Sequence, residues 1–256
     1  MGINRFDVYG SGSATATDLQ LDSARRELGE RVKSVTITGN ADVSSTSKFQ
    51  LVGNTTSAFS TGVDAIVSDN AGDSGIFFIS GLNPVGTEVN EFATLNGTTP
   101  VTLTNSYIWI NVCQLSDGLL NNGTIQLTNG GLNTFTINPK TGNLMTGGHG
   151  IPRNYKYLVN GMTINAHGSN TELELMLGFS ANGGTSIIQL WYWKIKTFTN
   201  MPSWFDIPAQ VLSEYKEGQV STTGGLIGLY ARAITGTTTV SFTGNVMLTQ
   251  IDAPSR

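Results

Sequence analysis

The chain predicts an all-β protein, an antiparallel β-sandwich of jelly-roll-like type preceded by an extended amino-terminal arm, and three observations carry that prediction. Short runs of β-branched and aromatic residues recur from Val32 onward, separated by Gly, Asn, Ser and Asp. Connections such as Asn121-Asn-Gly123, Asn129-Gly-Gly131 and Asn182-Gly-Gly184 supply residues that tolerate positive φ. Helix formers and charge concentrate in one place, Thr17 to Arg31.

Residues 1–34 form the expected arm. Gly10-Ser-Gly-Ser13 is a flexible link, and Thr17 with Gln20 has the spacing of a capping box, enough for at most one short helix that Asp22 and Gly29 weaken. Arg5, Arg25, Arg26, Arg31 and Lys33 make the segment locally basic, suited to an acidic neighbouring surface. Residues 35–256 are the expected sandwich, with about a dozen strand-like runs.

Within it, Val35–Thr38 and Phe49–Val52 come first, then Gly75–Ser80 and Val89–Leu95. Asn96-Gly97 has the chemistry of a type I′ turn and predicts a hairpin between Val89–Leu95 and Val101–Thr104. Ile108–Leu115, Gly123–Leu127 and Phe135–Ile137 follow, the last closed by the turn Asn138-Pro-Lys-Thr-Gly142. Tyr155–Asn165, Glu172–Phe179, Thr185–Thr197 and Gly225–Ala233 precede a final run, Thr238–Ile251. That run puts Val240, Phe242, Val246, Leu248 and Ile251 on its apolar side, and the shift at Gly244-Asn245 predicts a bulge. Between the late strands, residues 201–218 carry Met201-Pro-Ser-Trp-Phe-Asp-Ile-Pro208 and are expected to form a long loop pinned by Trp204 and Phe205.

Composition narrows the function classes. Charged residues are 12% of the 256, against about a quarter in ordinary soluble domains, while hydrophobic residues stand at 39%. Ser, Thr, Asn and Gly fill the place of charge, a surface that suits a subunit of a larger assembly. A net charge of −4 gives no overall attraction for nucleic acid or for an acidic membrane. Cys113 is the only cysteine, so no intramolecular disulfide forms, and its place in Tyr107–Cys113 predicts a buried, inert thiol. The start Met1-Gly-Ile-Asn-Arg5 opens no apolar stretch, and no run reaches bilayer length, so neither a secretory signal nor a membrane anchor is expected.

Reactive chemistry is thin. Gly72-Asp-Ser-Gly75 matches a short serine-protease signature, but His149 and His167 both lie far downstream and Ile76 stands where a further glycine is expected, so a turn before a strand is the better reading of Ser74. Asp69, Asn70 and Asp73 are closely spaced oxygen donors, yet Ala71 occupies the third loop position and no glutamate follows at the twelfth. Two histidines and one cysteine, well separated, cannot make a tetrahedral metal site. No catalytic residue, metal site or cofactor is expected. In Gln189–Lys196, alternation puts Trp191, Trp193 and Ile195 on one face and Leu190, Tyr192 and Lys194 on the other. With Trp204 and Phe205 the tryptophans form either a platform for sugar rings or part of a core or subunit interface.

An ordered series of blocks adds a resemblance. Ser68-Asp-Asn-Ala-Gly72, Gly75-Ile-Phe-Phe-Ile-Ser-Gly81-Leu82 and Glu88 to Thr104 with Thr94-Leu-Asn-Gly-Thr-Thr-Pro-Val101 occur in that order. Asn105-Ser-Tyr-Ile-Trp-Ile-Asn-Val112, Gly123-Thr-Ile-Gln-Leu127 and the segment from Gly150-Ile-Pro152 to Asn160 continue it. Over about residues 66 to 165 the chain resembles a virion structural protein family of short-tailed and other tailed bacteriophages of aquatic bacteria. It departs from that family at Pro152-Arg-Asn154 and at Ile108-Trp-Ile110. The resemblance implies a non-enzymatic component of a DNA phage particle.

Joined to the weak charge and the arm, it yields the expectation of a capsid cement or decoration protein. Such a protein is a homotrimer that bridges neighbouring subunits of the major capsid protein, contacts neither nucleic acid nor membrane, and belongs to a virion assembled in the host cytoplasm. The expected partner contacts are Arg5, Arg25, Arg26, Arg31, Trp191, Trp193, Trp204 and Phe205. The alternative is a tail fibre, adaptor or receptor-binding subunit, with Trp191, Trp193 and Trp204 against a host glycan.

Overall fold

The computed structural model describes residues 32–45, 48–53, 59–60, 62–116, 120–153, 155–168, 172–181, 183, 186–197, 203–207 and 224–250. Those residues form strands and no helix. The first strands are β1 (Val32–Ser44), β2 (Gln50–Leu51), β3 (Val63–Ser68), β4 (Ser74–Leu82) and β5 (Glu88–Asn96). Next come β6 (Val101–Tyr107), β7 (Trp109–Leu115), β8 (Ile125–Asn129), β9 (Leu132–Ile137) and β10 (Gly148–Ile151). The last are β11 (Tyr155–Gly168), β12 (Glu172–Ala181), β13 (Ile188–Lys196), β14 (Ser203–Ile207), β15 (Gly225–Ala233) and β16 (Thr237–Gln250). Every pairing between these strands is antiparallel.

Four sheets result. Sheet A runs β1-β16-β11-β14 and sheet B runs β10-β15-β12-β13, with β2 also on β15. Sheet C runs β6-β3-β8-β9 and sheet D β5-β4-β7. Residues 63–137 therefore supply all of sheets C and D, and the chain on either side of them supplies A and B. Val63, Ile66, Ile125, Leu127 and Phe135 of sheet C meet Phe77, Ile79, Ile110 and Cys113 of sheet D in one core. Ile37, Ile164, Val240, Phe242 and Val246 of sheet A meet Leu173, Leu175, Leu177, Ile227 and Leu229 of sheet B in a second. Full burial of such a side chain favours folding by about 1.5–3 kcal/mol.

Sheet B is covered on both faces over parts of β12 and β15, which explains their apolar stretches. Their even-numbered side chains Met176, Leu226 and Tyr230 belong to the first core, whereas their odd-numbered neighbours belong to the second. The junction is tight at Gly150. A Cβ there would come within 2.9 Å of Leu82 and Trp109, and the side chain of Asn111 holds both its N–H and its carbonyl, at 2.7 and 3.1 Å.

Three local expectations are corrected. Asn96-Gly97 is a tight turn, closed by the N–H of Thr99 on the carbonyl of Asn96 at 3.0 Å, but Gly97 alone has positive φ, at 54°, so it is not type I′. Nor are β5 and β6 hydrogen-bonded as a hairpin. They leave the turn into different sheets, β5 to pair with β4 and β6 with β3. The Glu91 carboxylate bridges that split, accepting from the backbone N–H of Thr104 and Asn105 and from the Tyr107 hydroxyl at 2.7 to 3.0 Å.

The predicted bulge exists on the partner strand: β16 runs in unbroken register with β1, and the shift falls in β11 between Val159 and Met162, opposite Val246 and Gly244. Gly161, at φ 124°, takes the extra turn of backbone. Finally, Ser203–Ile207, within the expected loop, is strand β14. Trp, Phe and Ile favour extended backbone, and the strand pairs with β11 at the edge of sheet A.

Candidate functional site

At one end of sheets C and D, the loops that held the protease-like and calcium-like motifs are tied by their own carboxylates. Asp73 accepts from the Ser68 hydroxyl at 2.7 Å and from the backbone N–H of Asn122 and Gly123 at 2.8 and 2.9 Å. Burial pushes its carboxyl up, but these donors outweigh burial and the net direction is down. Asp69 accepts the N–H of Thr124 at 2.8 Å and the Asn70 side chain accepts the N–H of Gly72 at 2.8 Å. Oxygens turned onto N–H donors are not shaped to hold a cation. Among the described residues no group of three His, Cys, Asp or Glu converges as a metal site would require. Ser74 opens β4 in sheet D, whereas His149 and His167 belong to β10 and β11 of the other sheet pair. Cys113 is buried and its thiol is pushed up by burial.

The tryptophan strand β13 is the edge of sheet B. Trp191 and Trp193 are half-buried, packed against the second core and edge-to-face on each other. On the opposite face Tyr192, 40% exposed, joins a polar ladder with Glu174, Arg232, Lys194 and Glu172. The Arg232 guanidinium, bonded to Glu174, holds that carboxyl down and also lies 4.8 Å above the Phe49 ring. By register Trp204 stands opposite Asn165 and Phe205 opposite Ile164, in sheet A. The structure thus puts Trp191 and Trp193 in one sheet and Trp204 in another. Arg5, Arg25, Arg26 and Arg31 lie outside the described residues.

A surface that periodicity did not single out lies on the outer face of sheet D. Alternation in β4 sends Phe77 and Ile79 into the core and leaves Ile76 and Phe78 outward. Phe92, in register with Phe78, is 67% exposed and Ile76 is 45% exposed. The Phe78 and Phe92 rings pack with centroids 5.4 Å apart. Asn90, Thr94 and Gln114 border them by register, and among the described residues Glu88 pairs with Lys33 at one end of the sheet. The signal was in the sequence: Gly75-Ile-Phe-Phe-Ile79 is apolar at every position after the glycine, more than one buried face of a strand can use.

No protein-family model matches the chain, and no curated protein matches it. Among solved structures, it is similar to a chain of the infectious bursal disease virus Gt strain structure at 11% identity and a TM-score of 0.18, covering 88% of this chain and 82% of that one. A second is the infectious bursal disease virus VP2 subviral particle, at 10% identity and a TM-score of 0.15, covering 86% and 81%. Likeness at this level carries no inference about function.

Proposed function

We propose that the chain is a non-enzymatic structural protein of a bacteriophage particle, a cement or decoration subunit that binds the capsid as a trimer across neighbouring capsid subunits. The observation that carries the structural role is the outer face of sheet D, where Ile76, Phe78 and Phe92 form an apolar patch bordered by uncharged residues. Patches of this kind are where monomers meet partners. The phage assignment rests on the ordered sequence blocks between residues 66 and 165.

In this reading residues 35–256 seat on the shell, and residues 1–34, with Arg5, Arg25, Arg26 and Arg31, extend over adjacent subunits. A cement protein needs buried area and symmetry, not reactive groups. A stable contact buries about 800 Å² per partner, and three copies on a symmetry axis multiply it. Capsids that lack the chain, mixed with recombinant protein and sedimented, test the reading. Saturable co-sedimentation is expected, weakened at least tenfold in a Phe92→Ser, Ile76→Ser variant that melts normally. No co-sedimentation of the unaltered chain, or unchanged binding of the variant, refutes it.

A further inference from the structure

The apolar face of sheet D lies next to the point where the arm joins the body. Lys33, the second residue of β1, pairs with Glu88, the first of β5. By alternation Glu88 stands on the side of Asn90, Phe92 and Thr94, and the Ser80 hydroxyl, two positions from Phe78, donates to the same carboxylate at 3.4 Å. Residues 1–31 therefore join the body within a lysine side chain's reach of this face. From Lys33 back to Leu28 is up to about 17 Å of extended chain, and from Glu88 to Phe92 along β5 is about 14 Å. Within the arm, Leu21, Ala24 and Leu28 fall at i, i+3 and i+7, one helical stripe, whereas Arg26 and Glu27 fall off it.

We propose that in the free subunit residues 17–28 of the same chain seat on the outer face of sheet D, with Leu21 and Leu28 against Ile76, Phe78 and Phe92. A helix of about twelve residues, weakened by Asp22, is marginal in water and forms where a surface receives its apolar stripe. The face suits it: its apolar side chains stand on two neighbouring strands, β4 and β5, about the width one helix covers. The chain's own arm is favoured over a second copy's, because a short tether costs little loop-closure entropy and no translational freedom. Seating also withdraws from water a patch on which free copies would otherwise associate. On a shell, the capsid surface displaces the arm, which then lies over adjacent subunits. Only this exchange rests on the capsid reading; the placing of the arm does not.

Amide hydrogen exchange of the full-length chain without capsids, read by mass spectrometry on peptides from residues 17–31, tests it against a synthetic peptide of residues 1–31. Exchange at least tenfold slower in the chain than in the peptide is expected, and unchanged on dilution. The protection should vanish in a Phe92→Ser, Ile76→Ser variant and in a Leu21→Ser, Leu28→Ser variant, with exchange in β12 and β15 unaltered as the sign of an intact body. Exchange as fast as in the peptide, or protection that survives either variant, overturns the proposal. Protection that falls on dilution, the mark of another copy's arm, overturns it as well. Capsid co-sedimentation is a separate readout: an unprotected arm in a chain that still co-sediments leaves the capsid reading standing, and a protected arm in a chain that does not co-sediment leaves the arm on sheet D.

Discussion

At the scale of single residues, two carboxylates, Asp73 and Glu91, and one buried histidine, His149, set how stability responds to mutation and to pH. Asp73 ties Ser68 to Asn122 and Gly123, residues about fifty positions away in sequence. Asp73→Ala leaves those N–H groups without a partner, a loss expected at about 1–3 kcal/mol and read by urea denaturation. That role was not legible in Gly72-Asp-Ser-Gly75, because the donors belong to a loop that only the folded topology brings near. His149 is buried in β10, and burial, then the positive Lys33 nearby, holds its imidazole down at about 3 from an ordinary 6.5. Between those values the unfolded chain binds the extra proton, so stability is full above pH 6.5 and falls as pH drops, by up to about 1.4 kcal/mol per unit. Denaturation at pH 7.5, 6 and 5 should show that loss, and His149→Gln should reduce it. Asp73 and Glu91, both held below the usual carboxylate range despite burial, stabilise the fold above that range and lose their contribution as pH falls further.

At the scale of elements, the strands that were legible are those with their own β signal. Val101–Tyr107 and Trp109–Leu115 carry alternating apolar and β-branched residues, and both appear near their expected bounds. β10 was not legible, since Gly148-His-Gly-Ile151 has little intrinsic strand preference. It is a strand because β15 offers an edge and because Gly150 alone fits under Leu82 and Trp109; Gly150→Val should lower the melting temperature by several degrees. The Asn96-Gly97 turn was legible as a turn but not as a divide between two sheets, which depends on Glu91 gripping Thr104 and Asn105. Gly97 has φ 54° and a Cβ there would meet the Ala71 carbonyl at 2.6 Å, so Gly97→Ala should cost more than about 1 kcal/mol in chemical denaturation.

For the whole molecule, the all-β class followed from composition and turn chemistry, whereas the arrangement of sheets did not. Pairing β1 with β16 joins residues about two hundred positions apart, and no local pattern encodes such closure. The contact surfaces show the same limit: the tryptophans of the aromatic strand β13 pack on a core, while half-buried Phe78 and exposed Phe92 pair on the outer face of sheet D. The proposed capsid role rests on that face and on the weak charge of the molecule. For the proposed capsid role, the most direct measurement is a quantitative mass-spectrometric inventory of purified virus particles from a host culture that produces the chain, with heads separated from tails. The account predicts many copies per particle, retained on the heads; particles that lack the chain, or carry it only on their tails, would contradict it.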